Sequence, residues 1–291
     1  MKPSLDCLPC FVNQALVAAR RGTDDATVQE AIVKAVLRKL TTFDLNRPSP
    51  EMGAFIDRTV ATTIGREDLY LSEKQRFNAL MKSHLPAIRK MVETAPDPFE
   101  TAARAAIAGN LIDFTAPGGK TDSSFESVFT DLLHRPMSRV GGADAVRRLK
   151  SAAKAARRIL YLADNAGEIV VDRLLVEQLP MQKVTMVVRG GPVANDALME
   201  DAEFAGLHEL VEVIDSGLRI PGTIVSDAPK SFQKIFKEAD LVISKGQGNF
   251  ETIEFEPDRI FFLFVIKCRA VADQIGAAMG EMIITDRPGS V

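Results

Sequence analysis

Polar side chains follow successive apolar runs in the second half of the sequence. "LYLADNAGE" leads from an apolar run into two oxygen-bearing side chains, and "SKGQGN" ends another run in a lysine and two glycines. The residues after these and two further apolar runs that could carry chemistry are Asp164, Asn165, Glu168, Asn195, Asp196, Asp201, Asp215 and Lys245. Hard divalent cations prefer carboxylate and amide oxygens, whereas lysine and backbone N–H groups suit phosphate. The combination predicts metal-assisted chemistry on a phosphate ester.

These residues can act together only if the apolar runs are strands of one sheet. Five short runs rich in Val, Ile, Leu and Phe follow Arg158: "RILYLAD", "KVTMVVRG", "LVEVIDSG", "DLVISKG" and "RIFFLFVIK". Helical segments separate most of them, which is typical of βαβ units with a mainly parallel sheet. Parallel strands end at the same edge, where α/β proteins bind their ligands. The sequence therefore predicts a Rossmann-like three-layer α/β/α domain over residues 156–291, with the metal site at that edge.

The first 155 residues show helical periodicity almost throughout. "VQEAIVKAVLRKL" places Ile32, Val36 and Leu40 on one face. "DPFETAARAAIAGNLIDF" offers Asp97 as an N-cap and Pro98 at the first helical position. Further helices are predicted over 73–95, "SSFESVFTDLL" and "GADAVRRLKSAAKAA". The predicted fold class is α/β, with a helical N-terminal region, residues 1–155, packed on the Rossmann-like domain.

Composition excludes several classes of protein. The net charge of −3 argues against a nucleic-acid partner, because such proteins usually carry a basic surplus. The longest apolar stretch, "IFFLFVI", is far shorter than the roughly 18 to 20 residues of a membrane span. "MKPSLDCLPC" lacks the apolar core of a secretory signal, and three cysteines do not make a secreted disulfide framework. We therefore expect a cytoplasmic protein without nucleic-acid or membrane partners.

Each motif also has a purely structural interpretation. An aspartate after a strand is often a helix N-cap, which would account for Asp164 without a metal. "KGQGN" could be an ordinary turn, since a single Gly-x-Gly is weak evidence for a phosphate site. Polar residues recur at successive strand ends, however, and this repetition favours a site over a series of caps.

Four segments in a fixed order carry a resemblance to a known family. "DNAGEIVVDRLL", "PVANDALMEDA", "SKGQGNFET" and the "KC" of "FLFVIKCRAVA" resemble the domain-of-unknown-function 89 family, whose members are metal-dependent damage-control phosphatases. "CLPC" near the N-terminus is similar to the cysteine-containing prokaryotic branch, and "AIAGNLIDF" extends the resemblance into the helical half. The family fold, a helical region on a Rossmann-like domain, agrees with the fold predicted from the pattern of apolar runs.

The resemblance assigns roles to individual residues. It implies that Asp164 and Asn165 hold the metal, with Asp196 as third ligand and Asp201 as the alternative. It implies that Lys245 binds phosphate. Four residues are expected on the substrate side or in its loop: Asn110, Asp113, Gly246 and Asn249. Glu168 also fits the motif and is placed with the substrate-binding group, although an acid in a first helical turn can simply favour the helix N-terminus.

These assignments imply a phosphatase that acts on a small phosphorylated metabolite. The cofactor would be Mg²⁺, Mn²⁺, Co²⁺ or Ni²⁺, and oxygen ligands favour the first two. Asp164 and Lys245 would be catalytic, with water as the attacking nucleophile. A covalent aspartyl intermediate is disfavoured, since the Asp-x-Asp pattern of haloacid-dehalogenase-type phosphatases is interrupted by Ala166.

Two competing functions remain at this stage. A nucleotide-binding or methyl-transfer enzyme could use the same scaffold, although "DNAGE" offers a single glycine where a glycine-rich loop is needed. A non-catalytic metal- or redox-sensing protein could be built around a thiol cluster of Cys7, Cys10 and Cys268. A structural zinc usually has four protein ligands and no fourth is evident. A reversible disulfide, an incomplete metal cluster and buried thiols all stay open.

Overall fold

A six-stranded sheet lies at the centre of the fold, with the strand order β3-β2-β1-β4-β5-β6. The computed structural model describes residues 1–111, 129–131, 133, 135, 137–253 and 259–286. The strands are β1 Ile159–Leu162, β2 Val184–Val188, β3 Glu212–Asp215, β4 Leu241–Lys245, β5 Ile260–Val265 and β6 Met282–Thr285. β1 to β5 pair in parallel, which confirms the predicted α/β class with a mainly parallel sheet.

The sixth strand was not predicted. β6 pairs antiparallel with β5, with Thr285 opposite Phe262 and Met282 opposite Val265. Its short apolar run lies beyond the last predicted βαβ unit, and no periodicity distinguishes four residues as a strand. β6 protects the edge of β5 from solvent, because a strand edge left open presents unpaired backbone groups.

Helices surround the sheet and form a separate layer at the N-terminus. In the described part of the chain they are α1 Cys7–Gly22, α2 Ala26–Leu40, α3 Ser49–Ile64, α4 Leu71–Glu93, α5 Pro98–Leu111, α6 Gly142–Ala155, α7 Glu168–Val176, α8 Met199–Phe204, α9 Lys230–Glu238, α10 Gln247–Ile253 and α11 Arg269–Ile275. Asp97 Oδ1 accepts the backbone N–H groups of Phe99 and Glu100 at 3.0 and 3.2 Å, so the predicted N-cap of α5 is confirmed. The helix predicted for "SSFESVFTDLL" falls mostly outside the described residues.

Three apolar cores hold these layers together. α4 to α8 cover one face of the sheet and share a core with it. α9, α10 and α11 cover the other face, which is rich in phenylalanine. α1, α2 and α3 enclose a smaller cluster of their own. The predicted domain boundary at residue 155 stays a prediction. Helices α4 to α6 precede it and share an apolar core with the sheet.

The register of the central strands sets where the site lies. Leu162 at the end of β1 is paired with Val187 of β2 and with Ser244 of β4. The residues that follow therefore leave the sheet at the same edge: Asp164 after β1, Arg189 after β2 and Lys245 at the end of β4. β1 and β4 are buried along their whole length, as expected for central parallel strands. No described helix has the length and apolar character needed to span a membrane.

Candidate active site

The turn after β1 is held against the segment after β2 by backbone hydrogen bonds. Ala166 N–H donates to the carbonyl of Asn195 at 2.9 Å, and Ala197 N–H donates to the carbonyl of Asp164 at 2.8 Å. Asn165 and Asp196 face each other in an antiparallel bridge. The structure thus brings together Asp164, Asn165 and Asp196, which we call the open triad because all three line a cleft.

Side-chain hydrogen bonds fix the orientation of Asn165. Its Nδ2 donates to Asp164 Oδ2 at 2.8 Å and to Glu168 Oε2 at 2.9 Å. This orientation leaves the carbonyl oxygen Oδ1 as the atom that can coordinate a cation. The N-cap residue of α7 is Gly167, so Asp164 does not occupy the N-cap position of that helix.

A glycine makes room for the carboxylate of Asp164. Gly246 follows β4 with φ of +80°, a left-handed conformation that favours glycine. A Cβ atom at this position would lie 2.0 Å from Asp164 Oδ2. The first glycine of "SKGQGN" is therefore required both by the backbone conformation and by the close approach of Asp164.

Arg189 contacts both the segment after β2 and helix α10 from the protein interior. Its side chain is buried, and Nε donates to Asp196 Oδ2 at 2.5 Å. Nη1 contacts Asn249 Oδ1 at 3.2 Å, and Asn249 Nδ2 in turn donates to the carbonyl of Lys245 at 2.8 Å. Nη2 has no hydrogen-bond partner among the described residues and lies 3.9 Å from Asp164 Oδ1. Arg189 was not predicted as a site residue, although its place directly after the apolar run of "VVRG" puts it at the same sheet edge as Asp164.

The electrostatics of the open triad show an excess of negative charge. Burial, together with the charges of Glu168 and Asp196, raises the pKa of Asp164 to about 7. Burial also raises the pKa of Asp196, against the opposing effect of Arg189. Two carboxylates taken out of water side by side disfavour their charged forms, and a bound cation would relieve this. The donor set of two carboxylates and one amide oxygen fits a hard divalent cation.

Asp201 has a different environment from Asp196. Its Oδ2 accepts the backbone N–H of Leu198 at 2.8 Å, which caps α8, and its Oδ1 accepts Asn78 Nδ2 at 2.6 Å. Asn78 Oδ1 also accepts the N–H of Gly167 at 2.6 Å, so this pair ties α4 to the two turns that carry the open triad. Of the two candidates for third ligand, the structure therefore brings Asp196 to Asp164 and uses Asp201 as a cap.

Lys245 lies behind the cleft in a second polar group. Its Nζ donates to the carbonyl of Ala106 at 2.9 Å, to Glu168 Oε1 at 2.6 Å and to Asp172 Oδ1. Tyr161 Oη donates to Asp172 Oδ1 at 2.9 Å. We call Lys245, Glu168, Asp172 and Tyr161 the sealed network, because the side chain of Lys245 is 0% exposed.

An ammonium group has three donors, and all three of Lys245 are used within the sealed network. Burial acts to lower the pKa of Lys245, but attraction to Asp172 and Glu168 outweighs it and raises the pKa, so the side chain is charged. The predicted contact between Lys245 and phosphate stays a prediction, and it would require this network to open. Asp172 was missed, although an acid inside "EIVVDRLLV", four residues after Glu168, places two carboxylates on one helix face.

The cleft beside the open triad has a volume of about 490 Å³. Its other lining residues include Cys7, Cys10, Gln14, Ser49, Gln247, Glu251, Lys267, Cys268 and Arg269. Lys267 is exposed, and its positive charge acts to lower the pKa values of both Asp164 and Asp196. Its backbone N–H donates to Gln247 Oε1 at 2.8 Å, which fixes the chain at this point. No role was predicted for Lys267, although it is the lysine of the "KC" in "FLFVIKCRAVA".

The three cysteines all line this cleft. Each is a free thiol, with Cys10 exposed and the other two half-buried. Burial raises the pKa of Cys268, whose Sγ lies 3.5 Å from Gln247 Nε2. Within the described residues no three His, Cys, Asp or Glu side chains are arranged to hold a metal ion. The possible thiol cluster stays a prediction: the three free thiols line one cleft, and Cys7 acts electrostatically on Cys268.

Of the two site residues predicted in the helical half, only Asn110 lies among the described residues. Asn110 lies in the last turn of α5. The preceding Gly109 packs against Glu168, whose Cα would lie 3.4 Å from a Cβ at residue 109. This end of α5 is therefore next to the sealed network. Asp113 lies outside the described residues.

Comparison with known proteins agrees with this architecture. The sequence profile of the damage-control phosphatase ARMT1-like domain matches residues 4–283. A damage-control phosphatase of Archaeoglobus fulgidus is 33% identical over 293 residues, which cover 97% of this chain and 98% of that protein. A damage-control phosphatase of Pyrococcus horikoshii is 31% identical over 290 residues, 97% of each chain.

A solved structure shows the same fold. The crystal structure of a DUF89 family protein from Pyrococcus horikoshii superimposes with a TM-score of 0.89, covering 99% of this chain and 100% of that chain at 29% identity. The names of these relatives support a phosphatase role for the family. The resemblance indicated by the motifs is therefore confirmed, and the chain belongs to the damage-control phosphatase ARMT1-like family, or DUF89.

Proposed function

We propose that this protein is a divalent-metal-dependent phosphatase that hydrolyses phosphomonoesters of small metabolites. The observation that carries the proposal is the convergence of Asp164, Asn165 and Asp196 at the edge of one cleft, with Lys267 on its wall. Relatives named damage-control phosphatases support the reaction class. The methyl-transfer alternative has no corresponding support.

The open triad would hold the cation through the carboxylates of Asp164 and Asp196 and through Oδ1 of Asn165. Mg²⁺ and Mn²⁺ are the preferred candidates for an oxygen donor set. When bound, such an ion supplies charge neutralisation on the phosphoryl group and a more acidic water. Arg189 keeps Asp196 oriented through the bond from its Nε, and Asn165 Nδ2 keeps the carboxylate of Asp164 in place.

Lys267 is our candidate for the cationic side chain that attracts the phosphate. It is exposed on the cleft wall and already acts electrostatically on both carboxylates of the triad. Lys245 has its charge matched inside the sealed network and is assigned to support of Glu168 and α7. In the reaction, a water oxygen attacks phosphorus and the bond to the ester oxygen breaks. The alcohol leaves with a proton, and inorganic phosphate is the second product.

The carboxylate of Asp164 is suited to orient that water. It would accept a hydrogen bond from the water and so align the oxygen for attack on phosphorus. Lys267 would compensate charge on the phosphoryl oxygens as the ester bond breaks. The cleft, about 490 Å³, is large enough for a metabolite phosphate.

Phosphate release from a panel of sugar phosphates and p-nitrophenyl phosphate tests the proposal. Metal-stripped protein would be assayed alone and with Mg²⁺, Mn²⁺, Co²⁺ or Ni²⁺ added back. We expect metal-dependent turnover that falls by at least about a thousandfold in Asp164→Ala, because a ligand and a water-orienting group are lost together.

One lysine and one arginine of the cleft wall test the assignment further. Lys267→Met should lower kcat/KM by roughly 10- to 100-fold, as expected when one group that stabilises developing charge is removed. Arg269→Met is the matched control, since Arg269 lines the same wall but faces Asp273 at 3.5 Å. Full activity of Lys267→Met would refute the role of this lysine. A folded wild-type protein that bound no divalent ion would refute the metal-dependent mechanism.

A further inference from the structure

Asp57 of α3 reaches from the N-terminal helices into the segment that carries Asp196. Its Oδ2 accepts the backbone N–H of Ala194, two residues before Asp196. Asp57 and Ala194 both line a second cleft of about 400 Å³, and Ala194 also lines the cleft of the open triad. The hydrogen bond therefore lies at the partition between the two clefts.

Ala194 has an unusual backbone conformation. Its φ is +44°, and it is the one non-glycine residue with positive φ in the described part of the chain. A left-handed conformation costs an alanine roughly 1 to 2 kcal/mol, because Cβ approaches the following carbonyl. Such residues persist only where the surroundings hold them, and they concentrate at functional sites. The bond from Ala194 N–H to Asp57 is the side-chain contact that supports the conformation here.

The backbone conformation of Ala194 sets the position of Asp196. After Ala194 the chain enters the bridge to the turn after β1, in which Asn195 accepts the N–H of Ala166 at 2.9 Å. Asp196 N–H donates to the carbonyl of Val193 at 3.2 Å, which closes a tight turn around Ala194. If Ala194 returned to negative φ, this turn would open. Asp196 would then lose its alignment with Asp164 and Asn165.

We infer that Asp57 is a positioning residue for the metal site: by accepting the N–H of Ala194, it fixes the turn that presents Asp196 to the cation. The inference rests on the proposed function, since it takes Asp196 as a ligand. It assigns to the N-terminal helices a part in metal binding although they supply none of the three ligands.

Asp57 could also act on the metal site through its charge alone, and this electrostatic role has to be distinguished from the positioning of Ala194. The charge of Asp57 acts on Asp196, and a nearby carboxylate attracts a cation whether or not it holds Ala194. The charged and titratable groups that face Asp57 are Arg21, Asp68, Tyr70 and Asp196. Asparagine at residue 57 removes the charge and keeps an oxygen acceptor, so it distinguishes the two roles.

The test is Mn²⁺ affinity of the full-length, metal-stripped protein, measured by electron paramagnetic resonance of free Mn²⁺. We expect Asp57→Ala to bind Mn²⁺ about tenfold more weakly, the size typical of a lost outer contact to a metal site. Asp57→Asn should stay within about threefold of the wild type, because its amide oxygen can accept the same N–H. Circular dichroism and melting temperature would confirm that each variant is folded.

A double-mutant cycle with Ala194→Gly makes the test specific to the backbone. Glycine adopts positive φ without the alanine penalty, so Ala194→Gly should restore part of the affinity lost in Asp57→Ala. Equal Mn²⁺ affinity of Asp57→Ala and the wild type would overturn the inference. Asp57→Asn as weak as Asp57→Ala would also overturn it in favour of charge. Absence of Mn²⁺ binding by the wild type would instead refute the proposed function, so the two failures are distinguishable.

Discussion

The open triad and the sealed network leave the same edge of the sheet, yet they meet opposite surroundings. The sealed network places Lys245 between the carboxylates of Glu168 and Asp172, so both acids have an ion pair to the same ammonium group inside the protein. The open triad gathers two carboxylates at a cleft, and the buried Arg189 donates a hydrogen bond to Asp196 and lies 3.9 Å from Asp164. The sealed network thus keeps its ion pairs away from solvent, whereas the open triad presents its oxygen atoms to a cleft where a cation could bind.

The same sequence motifs supply both groups. "DNAGE" contributes Asp164 and Asn165 to the open triad and Glu168 to the sealed network, while "SKGQGN" contributes Lys245 to the network and Gly246 to the space beside Asp164. Each motif crosses the end of an element, from the turn after β1 into α7 and from β4 into α10, so neighbours in one motif can have unrelated environments. Membership of a motif therefore does not separate the residues that contact a substrate from those that hold the fold.

The largest effect on stability is expected when the sealed network loses its cation. Lys245→Met should lower the free energy of unfolding by about 3 to 5 kcal/mol, because Glu168 and Asp172 would be left buried without the cation that pairs with them. Urea unfolding followed by circular dichroism measures the change. The matched variant is Lys267→Met, whose exposed ammonium should contribute less than about 0.5 kcal/mol.

Stability and activity measured on the same two variants would show whether the roles assigned to Lys245 and Lys267 are wrong. If Lys245→Met proved as stable as the wild type but lost phosphatase activity, Lys245 would act on the substrate and the sealed network would open during turnover. If both lysine variants kept the wild-type free energy of unfolding, the ion pairs of Lys245 would have no net stabilising value.

Much of the fold could be predicted because the signals are local. Five of the strands are runs of branched and aromatic residues bounded by polar or glycine residues, and Asp97 with Pro98 marks the start of α5. β6 escaped prediction because its four residues gain their structure from pairing with β5, a contact between distant parts of the chain. Local propensity carries no information about such a partner.

For the site, the sequence could predict which segments come together but not which side chains face the cleft. The convergence of Asp164, Asn165 and Asp196 follows from parallel strand topology. That Lys245 is sealed away and Lys267 is open to the cleft depends on the packing of α5 and α7 over β4, which no spacing encodes. The contact of Asp57 with Ala194 spans 137 residues and likewise has no local signal.

The open triad should lower the stability of the metal-free protein through the buried carboxyl group of Asp164. The pKa of Asp164 is raised to about 7 from the 3.8 of an unfolded chain, so between these pH values the native state binds more protons than the unfolded state. Stability then falls as pH rises from about 4 to 7. Asp164→Asn carries no such penalty and should be more stable than the wild type by about 2 to 4 kcal/mol at pH 8.

Denaturant unfolding in the presence of a chelator, at pH 4 and at pH 8, measures this difference. The gain from Asp164→Asn should shrink toward zero at pH 4, where the wild-type carboxyl is protonated in both states. Added Mn²⁺ should stabilise the wild type and leave Asp164→Asn nearly unchanged, because only the former binds it. A variant that is less stable than the wild type at pH 8 would mean that the carboxylate is favourably solvated in the cleft, contrary to its burial.

The smallest effect on stability, and the most local, concerns the glycine beside Asp164. Gly246→Ala and Gly65→Ala both place alanine at positive φ, +80° and +70°, which costs each roughly 1 to 2 kcal/mol of stability. Only at residue 246 would Cβ meet Asp164 Oδ2, at 2.0 Å, whereas nothing lies within 4 Å of Cβ at residue 65.

Gly65→Ala should therefore keep the wild-type affinity for Mn²⁺, while Gly246→Ala should lose about tenfold or more, because the carboxylate of Asp164 is pushed away from Asn165 and Asp196. Similar losses of stability in the two variants, with loss of Mn²⁺ affinity in Gly246→Ala alone, would separate the conformational cost of the turn from its role in the open triad. If Gly246→Ala bound Mn²⁺ as the wild type does, Asp164 would have room to move without leaving the metal. In that case its position in the triad would be set by Asn165 rather than by the shape of the "SKGQGN" turn.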